Sequence, residues 1–422
     1  MPKNPKLLNS FRLAYFLAAR QLKHGGKWTS ILIILVMTLT FLNIVVINGV
    51  LVGLAEGSAE EYRTQFSGDI LITPQDYARY INQSKDITNL ISGTPGVTGI
   101  VTRYVQTGTL ITDYKRNLGT NEKPHAIDAA IAGIDPEVED GFTHLSHQVV
   151  DGEYLRPHEE GYVLIGSGLL KEYSDGQDPE VATLAGIHVG DKVKVRVGET
   201  EKEEIVKGVI ESKIGNVNLR IYMNDEEFRQ LIDRSDFNVN EIGIHISPKL
   251  SLGGLADMLR ANPMFAHTKV QTSAESQGQF LKDIELGFSA LGAAIGFIAL
   301  LVASVTVFIV MFINALSRRK YIGILKAIGV DRFTLQTTYA LQALFYAICG
   351  MSISLIIIYG VLKPILDVYP ITTPLSDGVL VAPILGTLIR AIILILVTIS
   401  AGYIPAKLIV RKNTLDSILG RP

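Results

Sequence analysis

Two long runs without a charged side chain, separated by a short basic segment, constrain this sequence most. Residues 286–317 and 333–362 each contain no Asp, Glu, Lys or Arg. Each run exceeds the roughly 20 apolar residues that a helix needs to cross a bilayer. Between them, residues 318–332 hold five basic side chains and one acidic side chain. Because short basic loops favour the cytoplasmic side of a membrane, the pattern predicts a cytoplasmic loop between two membrane spans.

Two further stretches are predicted to span the membrane. Residues 28–55 are uncharged, and they are too long for the apolar core of a signal peptide, which is about 7–15 residues. Residues 385–406 form a weaker candidate because Arg390 interrupts them. We expect Arg390 to lie near the outer end and reach the headgroups, and the alternative is an intramembrane charge in a translocation path. Basic residues after position 406 then place both termini in the cytoplasm.

The charge is distributed unevenly along the chain. Residues 56–285 hold 37 acidic and 22 basic side chains, a net charge of −15, whereas residues 1–27 hold six basic side chains and no acidic one. This asymmetry predicts a large domain outside the membrane and a basic segment inside. The basic segment carries an apolar stripe at helical spacing, which predicts an amphipathic helix on the inner membrane surface. The alternative is a solvated basic leader that only sets the orientation.

The external segment has the pattern of a mixed α+β domain. Residues 69–111 and 241–272 share one plan, in which a strand, a helix and a second strand follow one another. The strand-rich residues between them predict an inserted subdomain, with a hairpin turn that begins at Gly198. We expect helical stalks to join this domain to the membrane, one over residues 40–65 and one that starts near Ser273 and continues into the second span.

The predicted fold class is therefore a membrane protein with four transmembrane helices and an α+β extracytoplasmic domain of two subdomains, inserted between helices 1 and 2. The predicted segments are a cytoplasmic amphipathic helix (1–27), the first span (28–55), the extracytoplasmic domain with stalks (56–285; core 66–134 and 223–272, insertion 135–222), the second span (286–317), a cytoplasmic helix (318–332), the third span (333–362), an external loop (363–384), the fourth span (385–406) and a cytoplasmic tail (407–422).

The basic segment between the second and third spans is the candidate functional site. Gly329 predicts a helix stop and Asp331 an N-cap for the next span. Five apolar side chains alternate with the basic ones, which a solvated topology marker does not require, so we expect the segment to dock a cytoplasmic partner. The predicted docking residues are Arg318, Arg319, Lys320, Tyr321, Ile322, Gly323, Ile324, Leu325, Lys326, Ala327, Ile328 and Gly329.

The sequence predicts no catalytic, cofactor or metal site. Residues 25–28 lack the Gly-x-x-x-x-Gly-Lys-Ser/Thr pattern (Walker A) that holds nucleotide phosphates. His144 and His147 lack further metal-ligand partners, and the Gly-Ser-Gly at Ser167 is not a nucleophile elbow. The single cysteine, Cys349, lies in a predicted span and leaves no disulfide within the chain. We expect a non-catalytic subunit whose energy source is a partner.

Several local sequences resemble one known superfamily. Residues 318–329 are similar to the Arg-x-x-Glu-Ile-Gly-Ile-Leu-Arg-Ala-Leu-Gly signature of a coupling helix, with Tyr321 where Glu is common. Residues 403–407 and 413–419 resemble that superfamily's Pro-Ala ending and cytoplasmic tail, and residues 131–136, 152–155, 165–170 and 189–193 resemble its external domain. The chain thus resembles an ABC transporter permease of the macrolide-exporter, lipoprotein-releasing and FtsX-like superfamily, which works by mechanotransmission.

The resemblance implies a function and a set of partners. A cytoplasmic ABC ATPase subunit would bind ATP-Mg and push on the coupling helix, and a second permease copy or paralogue would complete a dimer. Movement of the external domain would export or extract a hydrophobic, peptide or lipid-linked substrate. Membrane lipids and an external adaptor or hydrolase are further implied partners, and no nucleic acid is expected. The implied location is a bacterial or archaeal cell membrane, with both termini cytoplasmic and the large domain outside.

Two alternatives to an exporter stay open at this stage. One is an FtsX-like force transmitter that regulates an external cell-wall hydrolase, and the other is a membrane scaffold without an ATPase. The segment 197–204 is too short for the extended hook by which lipoprotein-releasing permeases recruit a chaperone. The negative external domain favours cationic or neutral partners.

Overall fold

The computed structural model describes residues 5–24, 27–112, 125–173, 183–369, 373, 380–381 and 383–411. It divides into two compact units. The membrane unit comprises residues up to 55 together with 283–373 and the C-terminal segment from 377, and the sheet domain comprises residues 56–282 with 374–376. The helices are α1 (Pro5–His24), α2 (Lys27–Tyr62), α3 (Ser84–Ser92), α4 (Pro136–Thr143), α5 (Gly215–Asn218), α6 (Asp225–Leu231), α7 (Leu252–Ala261), α8 (Ser273–Ser276), α9 (Gln279–Ser317), α10 (Arg319–Ala327), α11 (Arg332–Ile357), α12 (Lys363–Val368) and α13 (Ile384–Arg411). The strands are β1 (Ile70–Pro74), β2 (Val97–Ile111), β3 (Ala126–Ile134), β4 (Val149–Gly152), β5 (Tyr162–Gly166), β6 (Lys192–Val197), β7 (Thr200–Ile210), β8 (Arg220–Asn224), β9 (Glu241–Ile246) and β10 (Thr268–Thr272).

Within the described residues, four helical segments are long and apolar enough to cross a membrane. They are Lys27–Ser67, Leu286–Ser317, Arg332–Leu366 and Ile384–Val410. All the strands lie between the first and the second of these segments in the chain. The predicted fold class, four apolar helices with an α+β domain inserted between helices 1 and 2, is confirmed.

The core of the membrane unit is built around α11. Gly350 of α11 contacts α2 so closely that a Cβ there would lie 2.4 Å from the Cβ of Met37. A Cβ at Gly402 of α13 would likewise lie 2.6 Å from the Cβ of Ala343 in α11. Small residues of this kind let apolar helices approach each other at backbone distance, where dispersion contacts are most numerous. The helix α1 also packs on α11, and the Gln342 amide donates a 2.6 Å hydrogen bond to Gln21.

Among the described members of the predicted stripe, which is expected on the inner membrane surface, only Ala18 is buried where α1 packs. Ala14, Leu17 and Ala18 are buried, whereas the stripe residues Phe11 and Tyr15 are 51% and 69% exposed. Small side chains at positions 14 and 18 let α1 lie close to α11, so packing selects that face and leaves the aromatic side chains outside. An α1 with an exposed aromatic surface is still an amphipathic helix suited to a membrane interface.

The first part of the sheet domain interleaves the two predicted strand-helix-strand segments. The strand order is β10-β1-β9-β2, and each neighbouring pair is antiparallel. β9 therefore lies between β1 and β2, and β1 lies between β9 and β10, which is the arrangement of a split β-α-β fold. Ile87 and Ile91 of α3, with Leu255 and Leu259 of α7, are buried in the core of this sheet.

The second part of the sheet domain is a closed barrel. β2 continues past the first sheet and pairs with both β3 and β6, and β6 in turn pairs with β7. β7 pairs with β5, β5 with β8, and β8 with β3, so six strands form a ring without a free edge. The barrel takes β2 and β3 from the segment 66–134 and β5, β6 and β7 from 135–222, while β8 crosses the predicted boundary at 222. A Cβ at Gly108 of β2 would lie 2.4 Å from Ile131 and 2.6 Å from the Arg196 carbonyl, so this position tolerates only glycine.

The predicted hairpin turn at Gly198 is present. Val197 of β6 pairs with Thr200 of β7, which leaves a two-residue turn, and Gly198 has a φ of +62°. Two-residue hairpins require such left-handed backbone, which glycine adopts without strain. The turn is too tight to carry an extended hook.

The predicted second stalk is wrong at its start. The helix that begins at Ser273 ends at Ser276, and Gln277 has an extended backbone (φ −56°, ψ 128°). The helix α9 starts anew at Gln279, after Gly278. The capping box between Thr272 and Glu275 favours a helix start at Ser273. The apolar pattern alone gives no sign that this helix ends at Ser276, but Gly278 has little preference for a helix interior.

The chain segments that enter and leave the sheet domain are joined at its base. The Tyr62 hydroxyl at the end of α2 donates a 3.0 Å hydrogen bond to the Ser276 carbonyl. The Ser67 hydroxyl lies 3.0 Å from the Ser273 hydroxyl. Tyr62 is 3% exposed and belongs to a buried cluster with Leu71. Both connections to the membrane unit therefore start from one hydrogen-bonded base.

A network of buried charged side chains lies where the first sheet meets the barrel. Arg103 of β2 donates two 2.8 Å hydrogen bonds to Glu139 of α4, and Arg220 of β8 donates bonds of 3.0 and 2.7 Å to Glu241 of β9. Arg103 also lies 3.5 Å from Glu241, which links the two pairs. The Phe66 ring contacts both guanidinium groups, at 5.2 and 4.8 Å from its centroid.

Candidate functional site

The predicted docking segment forms the separate helix α10, which begins after Arg318 and ends at Ala327. Its end has the bonding of a Schellman motif. The Val330 N–H donates to the Leu325 carbonyl at 3.0 Å, the Gly329 N–H donates to the Lys326 carbonyl at 3.1 Å, and Gly329 has a φ of +93°. The predicted stop at Gly329 is confirmed.

Asp331 occupies the predicted N-cap position of α11, but the capping is by its backbone only. Its backbone is extended (φ −64°, ψ 146°), its side chain makes no capping hydrogen bond, and its carbonyl accepts from the Leu335 N–H at 3.3 Å. The turn between α10 and α11 is therefore fixed mainly by the glycine stop.

The apolar side chains of α10 separate into two faces. Ile322 and Leu325 are 3% and 8% exposed and belong to the core of the membrane unit. Tyr321, Ile324 and Ile328 are 46%, 52% and 73% exposed. Positions 321, 324 and 328 are three and four residues apart and thus lie on one side of a helix. We call these three side chains the exposed face of α10.

The buried face of α10 is held against the end of α13. The Lys326 ammonium donates a 3.1 Å hydrogen bond to the Val410 carbonyl in the last turn of α13, where a cation is favoured. Burial, with Arg332 as a second cation nearby, lowers the pKa of Lys326. Ala406 and Val410 belong to the same buried cluster as Ile322. The two cytoplasmic motifs that the sequence singled out, the basic segment and the Pro-Ala ending, therefore meet in one packed layer.

Two of the remaining predicted docking residues, Arg318 and Lys320, add positive charge around this helix. Arg318 is half-buried at the junction with α9, Lys320 is exposed, and Gly323 is buried on the packed side. Ala327 is exposed beside Ile328. The side chain of Arg319 and the predicted tail at residues 413–419 lie outside the described residues. A basic surface with an apolar centre is suited to binding another protein surface.

No group of three or more His, Cys, Asp or Glu side chains within the described ranges is arranged to hold a metal ion. The rings of His144 and His147 stack 5.8 Å apart in the sheet domain, without a third ligand among those residues. What α10 offers is a shaped surface attached to the membrane helices.

Sequence reasoning found the segment but not its two faces. It treated five apolar residues as one docking set, whereas Ile322 and Leu325 are needed for packing. The spacing of Tyr321, Ile324 and Ile328 is a helical signal that could have separated them. The contact from Lys326 to α13 has no sequence signal, because it joins residues 84 positions apart.

Comparison with known proteins gives one family match and a set of structural likenesses, two of which are described below. No curated protein matches this sequence. The crystal structure of the periplasmic region of MacB from Actinobacillus actinomycetemcomitans has a TM-score of 0.33 and 13% identity, over 50% of this chain and 92% of that chain. The extracellular domain of YknZ, a noncanonical ABC-type transporter from Gram-positive bacteria, has a TM-score of 0.30 and 13% identity, over 48% and 99%. Because both TM-scores are this low, the fold is assigned from the strand pairings described above and not from these two structures.

The family match falls on the membrane unit and includes the candidate site. Residues 293–414 match the family described as the FtsX-like permease C-terminal domain. This range covers most of α9, all of α10 and α11, and α13. The match covers 122 of the 422 residues, so this part of the chain is similar to the FtsX-like permease C-terminal domain.

Proposed function

We propose that this protein is the permease subunit of an ABC transporter and that the exposed face of α10 docks a separate cytoplasmic ATPase. The observation that carries the proposal is the exposed apolar face formed by Tyr321, Ile324 and Ile328 in a basic loop. Apolar side chains of this size are normally covered when they cluster within such a loop. The family match at residues 293–414 supports a membrane transport component, and a partner subunit is needed because the described residues offer no nucleotide site.

Force on α10 would pass to the membrane helices through its buried face. Ile322 and Leu325 pack into the same core as α11 and α13, and Lys326 is bonded to the end of α13. A rigid, close-packed interior transmits displacement rather than absorbing it. The helices α2 and α9 lead from the membrane unit to the sheet domain along the chain, and neither contains proline, so each is stiff enough to carry motion.

The proposed substrate class is neutral or cationic and hydrophobic, peptide or lipid-linked, and both termini would be cytoplasmic. The net charge of −15 on residues 56–285 would repel anionic cargo. The tight turn at Gly198 leaves no hook for a chaperone of the lipoprotein-releasing type. A force transmitter to an external hydrolase would use the same α10 contact and differ only in what the sheet domain binds.

The test is to purify the permease from its own cells in mild detergent and to measure co-purification of a nucleotide-binding subunit and ATP hydrolysis by the complex. Ile324→Glu is expected to abolish co-purification, while Ile324→Leu retains it, because the leucine keeps the apolar contact area. Insertion into the membrane should be unchanged in both variants. Full co-purification and unchanged ATP hydrolysis with Ile324→Glu would contradict the docking proposal.

A further inference from the structure

A groove between α1, α2 and α11 is not used by the proposed docking. Its volume is about 530 Å³. The lining is almost entirely apolar, with Lys23 and Ser30 as polar members. The lining residues are Tyr15, Ala18, Ala19, Leu22, Lys23, Ser30, Leu341, Leu344, Phe345, Tyr346 and Ile348.

The position of the groove along the helices is given by one contact and one exposed side chain. The Ser30 hydroxyl lies 3.0 Å from the Tyr346 hydroxyl, which brings the first turn of α2 beside α11 at that residue. Trp28, in that same turn, is 86% exposed. Tryptophan beside a basic residue at the start of a membrane span marks the boundary between headgroups and acyl chains. The groove therefore opens at the membrane interface, with the exposed aromatic side chains of α1 around it.

The rim of the groove is positively charged. Lys23 lines it and is exposed, and Lys27 lies three residues before Ser30, on the same side of α2. Arg20 lies one turn before Lys23 on α1. No Asp or Glu occurs in the sequence before Glu56, and none occurs between residues 332 and 362. The three helices that form the groove thus bring cations, and no acidic side chain, to its mouth.

We propose that this groove binds one anionic phospholipid, with its phosphate at Lys23 and Lys27 and an acyl chain along Leu344 and Phe345. The chemistry has two matched parts. Apolar surface of this kind is covered by hydrocarbon in a bilayer, and basic pockets between membrane helices select anionic headgroups. A zwitterionic lipid would fill the apolar part of the groove, but its headgroup would gain less binding free energy from the basic side chains at the rim. The inference is independent of the docking of α10 by an ATPase.

The lipid would hold α1 against the membrane unit. α1 contacts α11 through small side chains and the Gln21–Gln342 hydrogen bond, and it leaves Tyr15 exposed beside the groove. A bound acyl chain covers the remaining gap between Tyr15 and Phe345, and its headgroup bridges α1 and α2 through Lys23 and Lys27. The site would therefore make the position of α1 depend on anionic lipid.

The test uses tryptophan quenching by brominated lipids in the full chain. The protein has one tryptophan, so Trp28→Phe combined with Phe345→Trp places a single reporter on the groove wall. The reporter protein is reconstituted in phosphatidylcholine vesicles that contain either dibrominated phosphatidylglycerol or dibrominated phosphatidylcholine. We expect phosphatidylglycerol to quench the reporter at several-fold lower mole fraction.

The basic rim is tested by Lys23→Gln with Lys27→Gln in the same reporter background. One basic side chain near an anionic lipid is worth about fivefold in affinity, so the double change should lower the preference for phosphatidylglycerol by about 5–25-fold. Lys407→Gln, which removes one positive charge from α13, is the control and should leave the preference intact. Soluble glycerol phosphate should not reverse the quenching, which separates a lipid from a free phosphate.

Two outcomes would overturn the proposal. One is equal quenching by the two lipids at every mole fraction, which would mean that ordinary bilayer lipid surrounds the groove. The other is a preference for phosphatidylglycerol that survives Lys23→Gln with Lys27→Gln, which would place the anionic lipid elsewhere. Neither result depends on an ATPase, so a failure here is distinct from a failure of the docking proposal.

Discussion

The sheet domain and the membrane unit satisfy their buried polar groups in different ways. In the sheet domain, Arg103 and Glu241 have side chains that are 2% and 11% exposed, and they are paired across separate elements. In the membrane unit, buried hydroxyls bond within their own helix, as Thr338 does to the Thr334 carbonyl at 2.8 Å and Thr398 to the Leu394 carbonyl at 2.7 Å.

The difference follows from the surroundings of each unit. A domain in water can bury opposite charges if each finds its partner, although their desolvation is costly. A helix in a bilayer has no water to compensate for a lost partner, so local bonds to its own backbone are safer. The Ser354 hydroxyl lies within hydrogen-bond distance of a carbonyl in its own helix and of one in a neighbouring helix. These are the Gly350 carbonyl at 3.0 Å and the Thr38 carbonyl of α2 at 2.7 Å. The sheet domain is therefore fixed by charge pairs between elements, and the membrane unit by close packing.

The largest expected effect is on the charge network. Arg103→Met leaves Glu139 buried without its partner, and we expect a loss of about 3–5 kcal/mol from the sheet domain. Amide hydrogen exchange in β2 and β9 measures this loss. The control is Arg156→Met, whose pair with Glu153 is 72% and 68% exposed and should contribute less than about 1 kcal/mol. Equal effects of the two changes would show that the network does not hold the domain.

The next effect concerns close packing in the membrane unit. Gly350→Ala places a Cβ 2.4 Å from that of Met37 and 3.0 Å from the Thr38 nitrogen, so we expect α2 and α11 to separate at a cost of about 1–3 kcal/mol. Thermal unfolding in detergent, followed by the fluorescence of Trp28 on α2, reports the loss. Gly287→Ala meets no atom within 4 Å and is the matched control. A neutral or stabilising Gly350→Ala would contradict the packing account.

A smaller effect should separate the close charge pairs of the network from a looser pair in the sheet domain. Glu204 is fully buried, and the Lys202 ammonium lies 3.8 Å from its carboxylate. Burial together with neighbouring Glu227 raises the pKa of Glu204 to about 8, against the opposing effect of Lys202. The folded state then holds a proton that the unfolded state releases above its ordinary pKa of 4.5, so stability falls as the pH rises from 4.5 to about 8.

Glu204→Gln removes that titration. We expect a flatter stability profile and a gain of about 1–3 kcal/mol at pH 9, measured as the unfolding temperature by near-ultraviolet circular dichroism. Glu201→Gln, on the exposed side of the same strand, is the control and should keep the wild-type profile. An unchanged profile in Glu204→Gln would mean that Glu204 is ionised in the folded protein.

The smallest effect is at the contact between α10 and α13. Lys326→Met keeps the length of the side chain but removes its hydrogen bond to the Val410 carbonyl, and we expect a loss of about 0.5–1.5 kcal/mol. Hydrogen exchange in the last turn of α13 would increase while that of α11 stays the same. No change in α13 would show that packing alone holds the two motifs together.

The sequence predicted the parts of the fold that depend on local pattern. Charge-free runs located three of the four membrane helices, and the fourth was predicted despite Arg390. Gly329 located the end of α10, and Gly198 located the hairpin. The parts that depend on long-range pairing were not predictable in this way. Nothing in the sequence near Leu110 indicates that β2 continues from the first sheet into a barrel and pairs with β6. Likewise, nothing in the sequence near Arg103 indicates that Glu139 is its partner.

The candidate site was predicted as a segment and resolved as a surface only by the structure. Helical spacing distinguishes Ile322 from Ile324, but the side that packs depends on where α11 and α13 lie. The same limit explains α1, where Ala14 rather than Phe11 faces the core. Periodicity identifies faces, and tertiary packing decides which of them is buried.

The most direct measurement is site-specific photo-crosslinking from α10 in intact cells. A photoreactive phenylalanine analogue at position 324 is expected to give a covalent adduct whose partner, identified by mass spectrometry, carries a Walker A sequence. The same analogue at position 396, where Leu396 is 60% exposed on α13, should give no such adduct. An adduct at position 324 with lipid alone, or with proteins that bind no nucleotide, would contradict the docking of an ATPase on the exposed face of α10.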